Sequence, residues 1–242
     1  ALGVRFLDAA GQEVAAGGGS LAEICQIDAT GLDPRLKNTE IVVACDVDNP
    51  LCGTRGASAV FGPQKGATPE MVQQLDAGLA KYASCARQAT GRDVAEKAGA
   101  GAAGGLGAGL MFFTPAQLKP GVEIVLDAVG FSDIVRDADF VITGEGRTDF
   151  QTAFGKAPVG VAKVAKTHGA PVFCISGGLG EGADDVLAQG IDAVMSICDR
   201  PLSLEECMAA GAQLIEPAAA RLSRIVMAVR KRHWRVGRSA AN

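Results

Sequence analysis

The stretch Phe140-Val-Ile-Thr143-Gly-Glu145-Gly146-Arg147-Thr-Asp149 decides the fold. Its first four residues are apolar or β-branched with no polar alternation, as in a strand buried on both faces. Two later stretches repeat the pattern: Pro171-Val-Phe-Cys-Ile-Ser176 and Ile191-Asp-Ala-Val-Met-Ser-Ile-Cys198. Helical segments fall between them. One covers 157–168, with Pro158 near its start and Gly169 at its end; another covers 183–189. Apolar strands alternating with helices predict a parallel sheet with both faces covered. A long amphipathic helix over roughly 203–232 closes the pattern. Ser203 and Glu206 have capping-box spacing, and Pro217 should kink this helix.

Working outward, the texture changes near 131–136, so residues 134–231 read as a Rossmann-like βαβαβ unit. Residues 1–133 read as a separate α/β layer without a full sheet of its own. In that layer Val4–Asp8 is a strand, and Thr39-Glu-Ile-Val-Val-Ala-Cys-Asp46 is a buried strand. Residues 69–90 are a helix with Pro69 in its first turn and Gly91 as its stop. Met71, Leu75, Leu79, Tyr82 and Ala86 lie on one face of it. Residues 120–130 form a short helix.

The 242 residues fit one large domain or two small ones, at roughly 100–200 residues per domain. Glycine is over-represented at 32 residues and clusters in short runs, which places it where backbone turns sharply or approaches something closely. Net charge is −4, although Arg230, Lys231, Arg232, Arg235 and Arg238 crowd the final segment. The body is therefore acidic, which argues against broad nucleic-acid binding. Residues 232–242 read as a disordered basic tail. The seven cysteines are scattered with no Cys-x-x-Cys pair, so neither a zinc site nor a disulfide framework is expected. No apolar run has membrane-spanning length and no signal peptide is visible, so a cytoplasmic chain is expected.

Five segments could carry chemistry. In Cys45-Asp46-Val-Asp48-Asn49-Pro50, a strand continuing through Asp48 would project Asp46 and Asp48 from one face. Paired carboxylates suit Mg²⁺ with a substrate phosphate, or a general base for a hydroxyl; an Asx turn at Asn49-Pro50 is the alternative. Phe61-Gly-Pro-Gln64-Lys65-Gly66 presents a lysine on a glycine-framed turn, suited to a carboxylate or phosphate. Gly99, Gly101 and Gly104 match Gly-x-Gly-x-x-Gly, but Arg92–Lys97 before them is polar, so the dinucleotide fingerprint lacks its strand. A glycine-rich loop entering a helix near Leu106 still offers N–H groups to an anion. Thr143–Asp149, with Gln151 and Gly155-Lys156-Ala-Pro158, follows a strand and precedes a helix, where open α/β sheets bind ligands. It is not a P-loop, because Ala157 follows Lys156. Ser176-Gly-Gly178-Leu-Gly180-Glu-Gly182 also follows a strand and is a weaker signal.

Taken in order, Ala44-Cys-Asp-Val-Asp-Asn-Pro-Leu51, Phe61–Ala67, Gly101-Ala-Ala-Gly-Gly-Leu-Gly107 and Ile142–Asp149 with Gln151 and Gly155–Pro158 resemble the bacterial glycerate kinase family, the type unrelated to sugar kinases. The resemblance runs from residue 1 to about 231. It implies a Rossmann-like domain built from both chain ends and a second α/β domain inserted between. Residues 1–133 would then be most of the inserted domain, and 134–231 the C-terminal half of an incomplete Rossmann-like sheet. It also implies transfer of phosphate from ATP, with Mg²⁺, to D-glycerate, giving 2-phosphoglycerate.

On that resemblance Asp48, Lys65 and Arg147 are expected to be catalytic. Asp46 and Asp48 would hold metal. Asn49, Gln64, Gly104, Gly105, Gly144, Glu145, Gly146, Asp149 and Lys156 would bind substrate or nucleotide. The family's N-terminal Asp-Ser-Phe-Lys segment and its Gly-Gly-Ser-Ala-Thr-Asn-Asp-Gly-Gly loop have no counterpart, so an N-terminally truncated chain with little activity of its own is expected. The alternative is a non-catalytic fragment that keeps ligand or partner binding. An exposed sheet edge is a route to a homo-oligomer.

Overall fold

Thr68 opens the clearest helix of the first half. Its side chain accepts a hydrogen bond from the Met71 N–H at 3.3 Å, and Pro69 occupies the first turn. The helix ends at Gly91, whose left-handed backbone closes the last turn. In this computed structural model the described residues are 2–239, with side chains described as far as residue 229. The chain divides into two compact units, Ala1–Gly121 and Val122–Asn242.

The first unit contains β1 (Arg5–Leu7), β2 (Gln26–Asp28), β3 (Val42–Ala44), α1 (Ala57–Phe61), α2 (Pro69–Thr90), α3 (Ala102–Phe113) and β4 (Gln117–Lys119). Its sheets are small: β1 pairs antiparallel with β2, and β3 pairs parallel with β4. Helices supply most of the core. Leu79, Tyr82 and Ala86 of α2 pack with Ile24, Leu51, Phe112 and Phe113. The Tyr82 and Phe112 rings meet edge to face, with centroids 5.8 Å apart, and burial pushes the Tyr82 phenol up to about 12. Met71, expected on the same inner face, is exposed at the end of that stripe.

The strand expected over Thr39–Asp46 is shorter and less buried than its β-branched content suggests. It ends at Ala44, and Val42 is exposed. A two-stranded sheet covers few of its side chains, so composition overstated both its length and its depth.

The second unit contains α4 (Gly121–Ala128, whose first residue closes the first unit), α5 (Phe131–Val135), β5 (Val141–Thr148), α6 (Ala157–Thr167), β6 (Val172–Leu179), β7 (Ala193–Ser196), α7 (Leu204–Ala209) and α8 (Gly211–Ser239). The α/β class and the parallel sheet are as the sequence predicts: β5, β6 and β7 are adjacent and parallel. Period two sorts β6. Val172 and Cys174 pack with Val159, Ala162 and Ala165 of α6; Phe173 and Ile175 pack with Leu214, Ala218 and Leu222 of α8. Helix α6 and the Ser203–Glu206 capping box lie where expected.

Three expectations change. Strands β5 and β6 run through their glycines instead of stopping before them, so Thr143–Thr148 and Ser176–Leu179 are strand residues. Residues 183–189 form a 3-10 helix. The helix expected over 203–232 breaks at Ala210, and Pro217 stands inside α8. Residues 240–242 of the basic tail, and all its side chains, lie outside the described residues. Among the described residues no helix is long and apolar enough to cross a membrane.

Candidate active site

Strand β5 carries Glu145 and Arg147 two residues apart, hence on one face. Glu145 is held by hydroxyls: its Oε1 accepts from Thr148 Oγ1 at 2.9 Å and from Thr152 Oγ1 at 2.7 Å. Thr148 in turn lies 2.6 Å from Ser176 Oγ. Thr148, Thr152 and Ser176 are fully buried, so Glu145 is fixed from beneath. Sequence reasoning held Thr148 and Ser176 only as members of candidate segments, without a role, and missed Thr152. The available signal was hydroxyl residues set among apolar strand residues and beside a carboxylate.

Asp149 follows the strand and caps the 3-10 turn Phe150–Phe154. Its Oδ1 accepts from the Gln151 N–H at 3.0 Å, and its own N–H donates to Thr152 Oγ1 at 3.2 Å. Two cations converge on it. Arg147 Nε is 3.9 Å from Oδ2, and Lys156 Nζ is 3.9 Å from Oδ1. Lys156 also donates to Gln151 Oε1 at 3.4 Å. The acid is mostly covered while the two cations are largely exposed. Pairs this long leave much of each cation's donor capacity for an added anion. Gly180 lies against the Arg147 guanidinium, since a Cβ there would stand 2.7 Å from Nε and Nη2. Gly144 and Gly146, expected as ligand-binding loop residues, are inside β5, and Gly144 sits against the Ile175 carbonyl.

In the first unit the two acids do not share a strand face, because β3 ends before them. Asp46 Oδ1 accepts from the Gly121 N–H at 2.8 Å, at the start of α4. Asp48 is 80% exposed, with Arg55 Nη2 at 3.5 Å. Asn49 Nδ2 donates to the Arg55 carbonyl at 2.8 Å. The carbonyl of Asn49 also accepts from the Gly101 N–H at 2.9 Å, which ties the acidic segment to the glycine-rich one. Ala103, Gly104 and Gly105 turn left-handed before the regular part of α3 begins. That agrees with a glycine-rich loop entering a helix near Leu106. Gln64 and Lys65 lie on the 3-10 turn Pro63–Lys65, both exposed. Lys65 makes no ion pair among the described residues.

Among the described residues no three His, Cys, Asp or Glu side chains gather as a metal site. Mg²⁺ asks for less, taking one or two carboxylates and completing its shell with water and phosphate. The exposed Asp48 carboxylate fits that demand. Asp46 retains one oxygen that is not committed to Gly121.

Residues 1–227 match the glycerate kinase family. The chain belongs to that family. It is 51% identical over 223 residues to a glycerate kinase of Halalkalibacterium halodurans, covering 92% of this chain and 59% of that protein. It is 50% identical over 206 residues to the glycerate 2-kinase of Escherichia coli, covering 85% of this chain and 54% of that one. A crystal structure from Salmonella typhimurium LT2, assigned as a glycerate kinase 2, superposes with a TM-score of 0.77 at 46% identity. The match covers 95% of this chain and 60% of the other. This glycerate kinase family chain thus spans under two thirds of the length of the curated relatives it matches.

Proposed function

We propose that these residues serve ATP-dependent phosphorylation of D-glycerate, with 2-phosphoglycerate as product. The observation that carries the reading is the Arg147–Asp149–Lys156 cluster at the carboxyl end of β5, beside a Glu145 anchored by buried hydroxyls. Phosphoryl transfer needs little covalent chemistry from the protein; positioning and charge neutralisation supply most of the rate. Arg147 and Lys156 are placed to attract the negative oxygens of a phosphate, and Asp149 keeps the two cations from drifting. Lys65 is assigned to the glycerate carboxylate or the transferring phosphate. Asp48 is assigned to the acceptor hydroxyl, taking its proton on a carboxylate oxygen as the oxygen attacks. Asp48, with the remaining oxygen of Asp46, would hold Mg²⁺, whose part is to neutralise phosphate charge. Asn49, Gln64 and the N–H groups at Gly104 and Gly105 are assigned to binding, as are Gly144 and Gly146 through the backbone.

The share of the relatives' length that is matched favours a second reading, in which these 242 residues bind ligand without turnover. One set of measurements separates the two. Calorimetry reports binding of ATP with Mg²⁺ and of D-glycerate, and isotope transfer from labelled ATP reports phosphoglycerate. Transfer to give 2-phosphoglycerate supports the first reading, and binding without transfer supports the second. Neither binding nor transfer would sink both.

A further inference from the structure

Beyond the Arg147 cluster, the second unit brings two thiols together. Cys198 follows β7, and Cys207 stands one turn into α7. Their sulfurs are 3.0 Å apart, and both residues are half-buried. The Cys207 side is built firmly. The Ser203–Glu206 capping box fixes the start of α7, and the Cys207 N–H donates to the Ser203 carbonyl at 3.0 Å. On the Cys198 side, the N–H donates to Ser196 Oγ at 3.1 Å, and the thiol reaches the Gly177 carbonyl at 3.5 Å. Helix α7 leaves Leu204 and Met208 exposed, so reagents reach this face. Of the remaining thiols, Cys85 and Cys174 are buried, Cys25 is exposed, and the half-buried Cys45 and Cys52 reach backbone carbonyls, of Val47 at 3.3 Å and Asp76 at 3.8 Å, in place of another sulfur.

We infer that Cys198 and Cys207 form a reversible thiol–disulfide site, closed by small disulfide oxidants and reopened by dithiol reductants. The sulfurs need to approach by about 1 Å to reach the disulfide length of about 2.05 Å. The nucleophile is Cys198. The hydrogen bond from the Cys207 thiol, with a further one from Ser196, holds Cys198 below the ordinary thiol value, and the same sulfur contact raises Cys207. The Cys198 thiolate attacks one sulfur of the external disulfide, forming a mixed disulfide and expelling one thiolate. Cys207 then loses its proton and attacks the Cys198 sulfur, expelling the second thiolate. Two protein thiols become one disulfide, two protons are released, and the external disulfide takes up two electrons.

The site adjoins the end of β6. Closing it removes the S–H donor to Gly177, the residue after Ser176, whose hydroxyl contacts Thr148.

The test uses the 242-residue chain and oxidised glutathione as the probe. Remaining thiols are blocked with N-ethylmaleimide, and the chain is then cut after glutamate. Cleavage at Glu205 and Glu206 separates Cys198 from Cys207, and cleavage at Glu181 puts Cys174 on another peptide. The expected result is a disulfide-linked pair of the Cys198 and Cys207 peptides, with loss of both maleimide adducts and their return after dithiothreitol. Cys25 serves as the internal control that never joins the pair. Cys207→Ser should halt at the glutathione adduct of Cys198. Maleimide on both Cys198 and Cys207 after oxidation, or stable glutathione on both without a linked pair, would overturn the inference.

Discussion

Thr152 Oγ1 donates to Glu145 Oε1 at 2.7 Å from a fully buried position. The same hydroxyl accepts from the Asp149 N–H, so one side chain ties the strand carboxylate to the turn that aims Asp149. Thr152→Val keeps the shape and removes both bonds. It should cost about 1–3 kcal/mol, the usual cost of leaving such polar groups unpaired. Thr152→Ser should recover most of that loss. Urea denaturation of the three chains checks this; equal midpoints for wild type and the valine variant would refute it.

Asp46 is separated from Gly121 by 75 positions yet accepts its N–H at 2.8 Å. That bond assigns Asp46 a capping role at the start of α4, beside any part it has with Mg²⁺. Asp46→Ala should lower stability by about 0.5–2 kcal/mol, as for a lost cap, whereas Asp46→Asn keeps an acceptor and should lose much less. If Asp46 also holds Mg²⁺, both variants weaken Mg²⁺-dependent nucleotide binding. Denaturant midpoints and calorimetry read the two roles separately, and an unstable asparagine variant would contradict the cap.

These two contacts show where the sequence stops being informative. Helix α2 was legible because its signals are local: Thr68 and Pro69 at one end, Gly91 at the other, and an apolar stripe between. The three parallel strands were legible from apolar runs alone. The chemistry of Thr143–Asp149 was legible as a cluster of acid, arginine and glycine, but its backbone was not. Glycines at 144 and 146 read as a loop, whereas pairing of Glu145 with Ser176 and of Arg147 with Gly178 extends the strand through them. Tertiary pairing overrode local propensity. Asp46 and Asp48 failed for the same reason in reverse, since a two-stranded sheet ends before it can order them.

Arg147 and Gly180 allow a sharper test of the proposed anion site. A methyl at 180 meets the movable guanidinium, while a methyl at 177 would meet the Gly146 carbonyl at 2.4 Å. Gly180→Ala should therefore displace Arg147 at little cost in stability and weaken ATP binding several-fold. Gly177→Ala should instead destabilise the fold, by about 1–3 kcal/mol, as overpacking does. Thermal melts and calorimetry distinguish them. Unchanged ATP affinity in Gly180→Ala, together with unchanged affinity in Arg147→Ala, would remove Arg147 from the site.

If the proposed phosphoryl transfer to D-glycerate is correct, Asp48→Ala and Arg147→Ala should each cut its kcat/KM by at least about 100-fold. That is the scale of losing one group that stabilises or deprotonates at the reacting centre. Lys65→Ala should act mainly through KM if it holds the glycerate carboxylate, and mainly through kcat if it meets the transferring phosphate. Steady-state kinetics with D-glycerate varied at saturating ATP separates these. A near-normal rate for Asp48→Ala would reassign the proton acceptor.

Asp192, the residue before β7, links α6 and β6 of the second unit: its Oδ2 accepts from Lys166 Nζ at 2.6 Å and from the Val172 N–H at 2.7 Å. Desolvation works to raise its carboxyl, but these two bonds prevail and hold it below the ordinary 3.8. A depressed carboxyl stabilises the fold above the unfolded value and loses that contribution as pH falls through the folded value. Asp192→Asn should therefore be less stable than wild type at neutral pH. The gap should begin to close near pH 3.8 and vanish below the folded carboxyl value. Lys166→Met, which leaves the Val172 bond, should show the same trend with a smaller span. Denaturant midpoints measured from pH 7 downward decide it, and a gap that stays constant through the acid range would show that Asp192 adds nothing through its charge.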